Sequence, residues 1–188
     1  MNGIRNAGLL FLLLILLVGC TNNDEYNEAL AEFYTEADTI FFISSFALSG
    51  YSNAWSNAID NGENFSIAVG MQQSKFEDMA NASDESLEEM SKNLNTLSEA
   101  SKKHPEEYDE IYQECKALYA TLSSIVEQVH NPSGSLLSFN QNVNDLTQEF
   151  KSKYEIIGAL LSDEVKALIK QKEEEQEKEV VTEEAEDS

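Results

Sequence analysis

Along most of the chain, apolar side chains recur at alternating steps of four and three residues, the seam that lets long helices pack side by side. Tyr26, Leu30, Phe33, Ala37, Ile40, Ser44, Ala47, Tyr51, Ala54 and Ala58 keep that alternation without a slip. Tyr34, Phe41, Leu48 and Trp55 repeat every seventh position beside it, which widens the apolar face to what a bundle buries. Phe42 and Phe46 fall on neither stripe. Asn61-Gly62 then supplies a stop, because glycine is favoured just past a helix end. A second segment, from about Glu63 to Lys103, carries Phe65, Val69, Gln72, Phe76, Met79, Ser83, Met90, Leu94 and Leu97 on the repeat. Its middle, Asn81-Ala82-Ser83-Asp84, is poor in apolar residues and rich in capping types, which marks a place for a kink or break.

His104-Pro105 closes that segment and opens the next, with Pro105 suited to a first helical position and Glu106 and Glu107 to the positive helix end. Tyr108, Ile111, Cys115, Leu118, Leu122, Ile125 and Val129 make the third stripe. Asn131-Pro132-Ser133-Gly134 is the clearest loop, with Ser133 or Ser135 placed to cap the next helix. The fourth stripe is Leu136, Phe139, Val143, Leu146, Phe150, Ile157 and Leu160, and Ser162-Asp163-Glu164 starts a short helix through Val165, Leu168 and Ile169. No strand-like alternation occurs. The expected fold is all-α: an elongated antiparallel bundle of four long helices in up-down-up-down order plus a short C-terminal helix, over residues 28–170. Residues 171–188 are so rich in Glu, with only Val180 and Val181 bulky and apolar, that a solvated, unstructured tail is expected there.

The amino terminus has a different pattern. One charge, Arg5, precedes the unbroken apolar run Leu9–Val18, which falls short of the about 20 residues a membrane-spanning helix needs and has the length of a signal-peptide core. The run leads into Leu17-Val18-Gly19-Cys20, which resembles the lipobox of bacterial lipoprotein precursors. The resemblance covers residues 1–20 only. It implies that residues 1–19 are a signal peptide and that the cut falls before Cys20, whose sulfur carries a covalent diacylglycerol. No other cofactor is expected. Two acyl chains hold a protein stably where one does not, so the expected location is the extracytoplasmic face of the cell membrane. Residues 20–27 would form a tether; from Thr21 to Asn27 the chain reaches at most about 25 Å.

Composition narrows the function classes. With 35 acidic against 12 basic side chains and a net charge of -23, the surface repels phosphate, so a nucleic-acid partner is not expected. With Cys20 acylated, Cys115 is the remaining thiol; its place on an apolar stripe assigns it to the core. His104 and His130 sit at helix boundaries, as caps or dipole partners do. Glu127-Gln128-Val129-His130 is a single Glu-x-x-His where bundle metal centres need two, so no metal site is expected. No nucleophile elbow, phosphate loop or dinucleotide fingerprint occurs, and no catalytic residues are assigned. The expectation is a non-enzymatic lipoprotein whose acidic bundle binds another cell-envelope protein. Phe42 and Phe46 are the candidate contacts, and the negative surface would steer a basic partner. The alternative is a sensor or carrier that holds a small ligand within the bundle.

Overall fold

The computed structural model of the chain describes residues 3–186, with the surroundings of side chains given for residues 23–174 apart from Phe65. The expected signal peptide, Cys20 and the last acidic residues therefore lie outside the described side chains. Five helices succeed one another: α1 (Gly3–Asn61), α2 (Phe65–Lys103), α3 (Pro105–His130), α4 (Leu136–Leu160) and α5 (Asp163–Glu186). Among the described residues there is no strand, and no helix is long and apolar enough to cross a membrane.

Local chemistry sets the turns. Gly62 and Gly134 have φ of +66° and +98°, in the left-handed region that glycine enters at little cost. The Asn64 side chain accepts from the Ile67 N–H at 3.4 Å and caps α2. At α4, Ser135 Oγ accepts from the Ser138 N–H while Ser138 Oγ accepts from the Ser135 N–H, a reciprocal box that satisfies two otherwise orphaned donors. Pro105 opens α3 with Glu106 and Glu107 in its first turn; the His104 side chain makes no capping hydrogen bond there.

Side-chain pairs give the helix directions. Tyr51 and Gly50 of α1 meet Phe76 of α2, whereas Tyr26 meets Tyr108 of α3. Tyr34, Phe41 and Trp55 meet Tyr154, Phe150 and Phe139, so α4 runs antiparallel to α1. Between α2 and α3, Ser101 Oγ donates to Asp109 Oδ1 at 3.0 Å. From α3 to α4, Thr121 Oγ1 donates to Glu149 Oε1 at 3.1 Å. The four helices alternate in direction. α5 folds back, with Val165 close to Leu30 and Lys172 Nζ 3.0 Å from Glu32 Oε1. The α2 helix alone is about 58 Å long.

The core follows the seam. Leu30, Phe33, Ala37, Ile40, Ala47, Tyr51 and Ala58 are buried on α1, and Cys115, Leu118, Leu122 and Ile125 on α3. Each fully buried large aliphatic side chain contributes roughly 1.5–3 kcal/mol. Burial also drives the Cys115 thiol well above its usual range, which suits a hydrophobe and not a nucleophile.

Four points differ from the sequence reading or go beyond it. The packed domain begins before residue 28: α1 runs through the expected tether, Tyr26 is in the core, and the Tyr108 hydroxyl donates to Asn23 Oδ1 at 3.1 Å. Second, α2 is unbroken across Asn81–Asp84. Its buried positions there are Ala80 and Ser83, and Met79 points outward; small residues let α2 lie close to its neighbours without an apolar stripe. Third, Leu161, just past α4, is buried where Leu160 is exposed; the helix ends at Leu160 and the backbone at Leu161 is extended, so the helical spacing no longer applies. Fourth, α5 is 24 residues long and continues through the expected unstructured tail to Glu186. Glu, Lys and Gln are strong helix formers, and the Lys170–Glu174 pair adds the spacing that helices favour, so burial is not required for this segment to be helical.

Candidate functional site

The outward face of α1 is formed by Asp38, Phe42, Phe46, Ser49, Asn53, Asn57 and Asp60, all exposed. Steps of four and three keep these residues on one side, opposite the buried seam. From Thr39 to Ile59 the chain contains no charged residue. In a protein with 25% charged residues, that leaves a neutral strip bounded by Asp38 and Asp60.

Two large aromatics stand on the strip. Phe42 is 73% exposed and Phe46 is 57% exposed. These are the residues singled out from the sequence, and the fold brings them to one face one helical turn apart. Phe46 does not stand alone: its ring meets Phe76 of α2 edge-on, with centroids 5.9 Å apart. Phe76 in turn meets buried Tyr51 at 5.7 Å, again edge-on. Gly50 allows this arrangement, since a Cβ there would lie 2.5 Å from Phe76 Cε2. The absence of one methyl group lets the Phe76 ring rest on α1 and buttress Phe46.

Toward the α1–α2 turn the surface opens into a groove of about 420 Å³. Ala54 and Asn57 line it from α1, and Ile67, Ala68, Met71 and Gln72 from α2. Ile67 and Met71 are exposed, as is Ile59 near the turn. The aromatics stand beside this groove, whose lining between α1 and α2 mixes apolar Ile67, Ala68 and Met71 with polar Asn57, Gln72 and Lys75. The charges around the strip and groove are Asp38, Asp60, Glu63 and Lys75, with Asp78 seven residues from Met71 on the same side of α2. Neither the groove nor the role of Phe76 can be read from the sequence pattern. The one local cue is Gly50, a glycine inside an otherwise helical pattern.

At the opposite end, where α1 enters the bundle, Asn23, Tyr26, Thr96, Glu99, His104 and Tyr108 are among the residues around a cleft of about 630 Å³. The Tyr26 and Tyr108 rings lie 4.3 Å apart, and burial raises both phenol pKa values above the usual range.

His130 and Glu127 do not converge. His130 Nε2 lies 2.9 Å from Asp84 Oδ2 and links α3 to α2, whereas Glu127 Oε1 accepts from the Asn131 amide at 2.7 Å. No group of three or more His, Cys, Asp or Glu suited to a metal ion occurs among the described residues. No protein-family model, no curated protein and no solved structure matches the chain.

Proposed function

We propose that this chain is a non-enzymatic lipoprotein, anchored through diacylglycerol on Cys20 to the extracytoplasmic face of the cell membrane. Its acidic bundle binds another protein of the cell envelope. The contact is the α1 face carrying Phe42 and Phe46. One observation carries this reading: two large aromatics are exposed on a charge-free helical strip, and one of them is braced from behind by a neighbouring ring. At 73% and 57% exposure, leaving these two side chains in water forgoes roughly 2–4 kcal/mol of burial, a cost offset when a partner covers them. Anchoring raises the local concentration of the bundle at the membrane, so a modest affinity suffices.

The test is a photo-crosslinking residue at position 42 in intact cells, with the same residue at 137 as control. Leu137 is also exposed, at 76%, and lies outside the strip. A defined envelope protein should be captured from position 42, not from 137, and not when Cys20→Ala removes the anchor. Equal capture from both positions refutes the face, and capture unaffected by Cys20→Ala refutes the anchoring.

A second reading, a carrier of a small ligand, draws on the tyrosine-lined cleft beside α1. Native mass spectrometry of the protein taken from its membrane tests it: a retained small molecule, released by Tyr26→Ala, is its expected result.

A further inference from the structure

We infer that the occupant of the α1–α2 face is a single amphipathic helix, with a continuous apolar stripe and lysines or arginines along both edges. The inference rests on the docking reading above and specifies its partner. Three features carry it.

The first is shape. The face is a furrow between two helices, with small residues Ala54 and Ala68 among its lining and Met71 and Ile67 alongside. A third helix packs into such a furrow by the same ridge-and-groove fit that holds the bundle together. From Phe42 to Asn57 the strip is about 22 Å long, which a helix of about 15 residues covers.

The second is the distribution of charge. The strip itself is neutral, so the centre of the partner must be apolar; a patch of basic residues there would be desolvated against phenylalanine with nothing to pair. Around the strip the balance reverses. Asp38 and Asp60 stand at its two ends, Glu63 lines the groove, and Asp78 lies further along the outer side of α2. Lys75 is the lone cation beside them. Exposed rim charges contribute little to affinity, but they select orientation and partner by repelling the wrong sign.

The third is the exclusion of a second copy. Two chains of net charge -23 meeting face to face would bring Asp38, Asp60, Glu63 and Asp78 of each against the same rim on the other. Like-charge rims oppose that pairing, and a basic-edged helix relieves them.

The test uses the full chain in nanodiscs of zwitterionic lipid, with empty discs subtracted. Two fluorescent synthetic helices of about 18 residues serve as probes, a length set by the helical rise. They share one leucine stripe, and one carries lysine edges and the other glutamate edges. The lysine-edged probe should bind and the glutamate-edged probe should not. Phe42→Ser should weaken the lysine-edged probe about tenfold or more, as loss of the most exposed aromatic anchor of the strip does. Leu137→Ser should leave it unchanged. Combined Asp38→Asn, Asp60→Asn and Asp78→Asn should weaken it several-fold and flatten its salt dependence.

Equal binding of the lysine-edged probe to the Phe42→Ser chain would overturn the inference, since attraction would then be to the acidic surface at large. Equal binding of both probes would overturn the charge argument. A dimer in sedimentation that Phe42→Ser converts to a monomer would assign the face to a second copy instead. None of these three results touches the crosslinking experiment. An envelope protein captured at position 42 alongside a failed probe test leaves the docking reading standing and removes only the basic helix.

Discussion

Gly50→Ala and Gly70→Ala make the same chemical change in the interiors of two helices and should move stability in opposite directions. An added Cβ at Gly70 meets nothing within 4 Å, and its φ is not positive. Replacing glycine by alanine there should stabilise the fold by about 0.5–1 kcal/mol, because the unfolded chain loses freedom it would otherwise regain. At Gly50 the same gain applies, but the Cβ lies 2.5 Å from Phe76 Cε2 and 2.6 Å from Cζ. The ring must retreat by about 1 Å, and both of its edge-on contacts, to Tyr51 and Phe46, are disturbed. Overpacking of this kind costs about 1–3 kcal/mol. The helix term is common to both variants, so their difference isolates the ring displacement: Gly50→Ala should be about 1–3 kcal/mol less stable than Gly70→Ala. Urea unfolding followed by far-UV circular dichroism measures that difference, and in a Phe76→Ala background it should collapse. If the two variants unfold at the same midpoint, or if the difference survives Phe76→Ala, then Gly50 is not making room for the ring and Phe46 is not buttressed as described.

The remaining predictions concern core, cap and pH. Leu118→Ala, at a position with no exposure, should cost about 2–5 kcal/mol in denaturant unfolding, whereas Phe42→Ser should stay within about 0.5 kcal/mol of the parent chain. Ser135→Ala should remove the reciprocal box at α4 and cost about 1 kcal/mol, read as an earlier thermal midpoint. Burial raises the phenol pKa values of Tyr26, Tyr34 and Tyr154 in the folded state, so these groups keep their protons when unfolded tyrosines have lost theirs. That contribution is fully present below about pH 10 and falls as the pH rises beyond it. Unfolding midpoints should therefore hold level to about pH 10 and drop above it, with tyrosinate absorbance rising in step with unfolding. A midpoint that rises between these conditions would contradict the sign.

The stripes of α1 and α3 are legible in the sequence because large apolar residues keep the seam without interruption, and nearly every residue on them is buried. The α2 register is harder to read. Val69, Phe76, Ser83, Met90 and Leu97 form its seven-residue row, but the companion row passes through Ala80 and not Met79. Periodicity prefers the bulkier side chain, whereas close packing against α1 prefers the smaller. The length of the carboxyl-terminal helix is hidden for a related reason: only its first turns, with Val165 buried and Leu168 and Ile169 against the core, show an apolar pattern, and beyond the Lys172–Glu32 pair it continues on propensity and local pairs. Phe42 and Phe46 are legible as exposed because they fit neither stripe. The ring behind Phe46 and the groove beyond it are not, since they arise from contact between residues distant in sequence, which no single-helix pattern encodes.

The aromatic contacts of α1 form a ladder rather than one nucleus. Tyr26 with Tyr108, Tyr34 with Tyr154, Phe41 with Phe150, Tyr51 with Phe76 and Trp55 with Phe139 occupy successive levels over about 44 Å of helix. Each rung fastens α1 to one neighbour at one height, so opening at one level need not release the next. Amide exchange should accordingly be graded along the rod, fastest at the end where α1 enters and slowest at the central rungs. A pull or a twist at the amino-terminal end would then be absorbed by the lowest rungs, while the level of Phe42 and Phe46 keeps its shape.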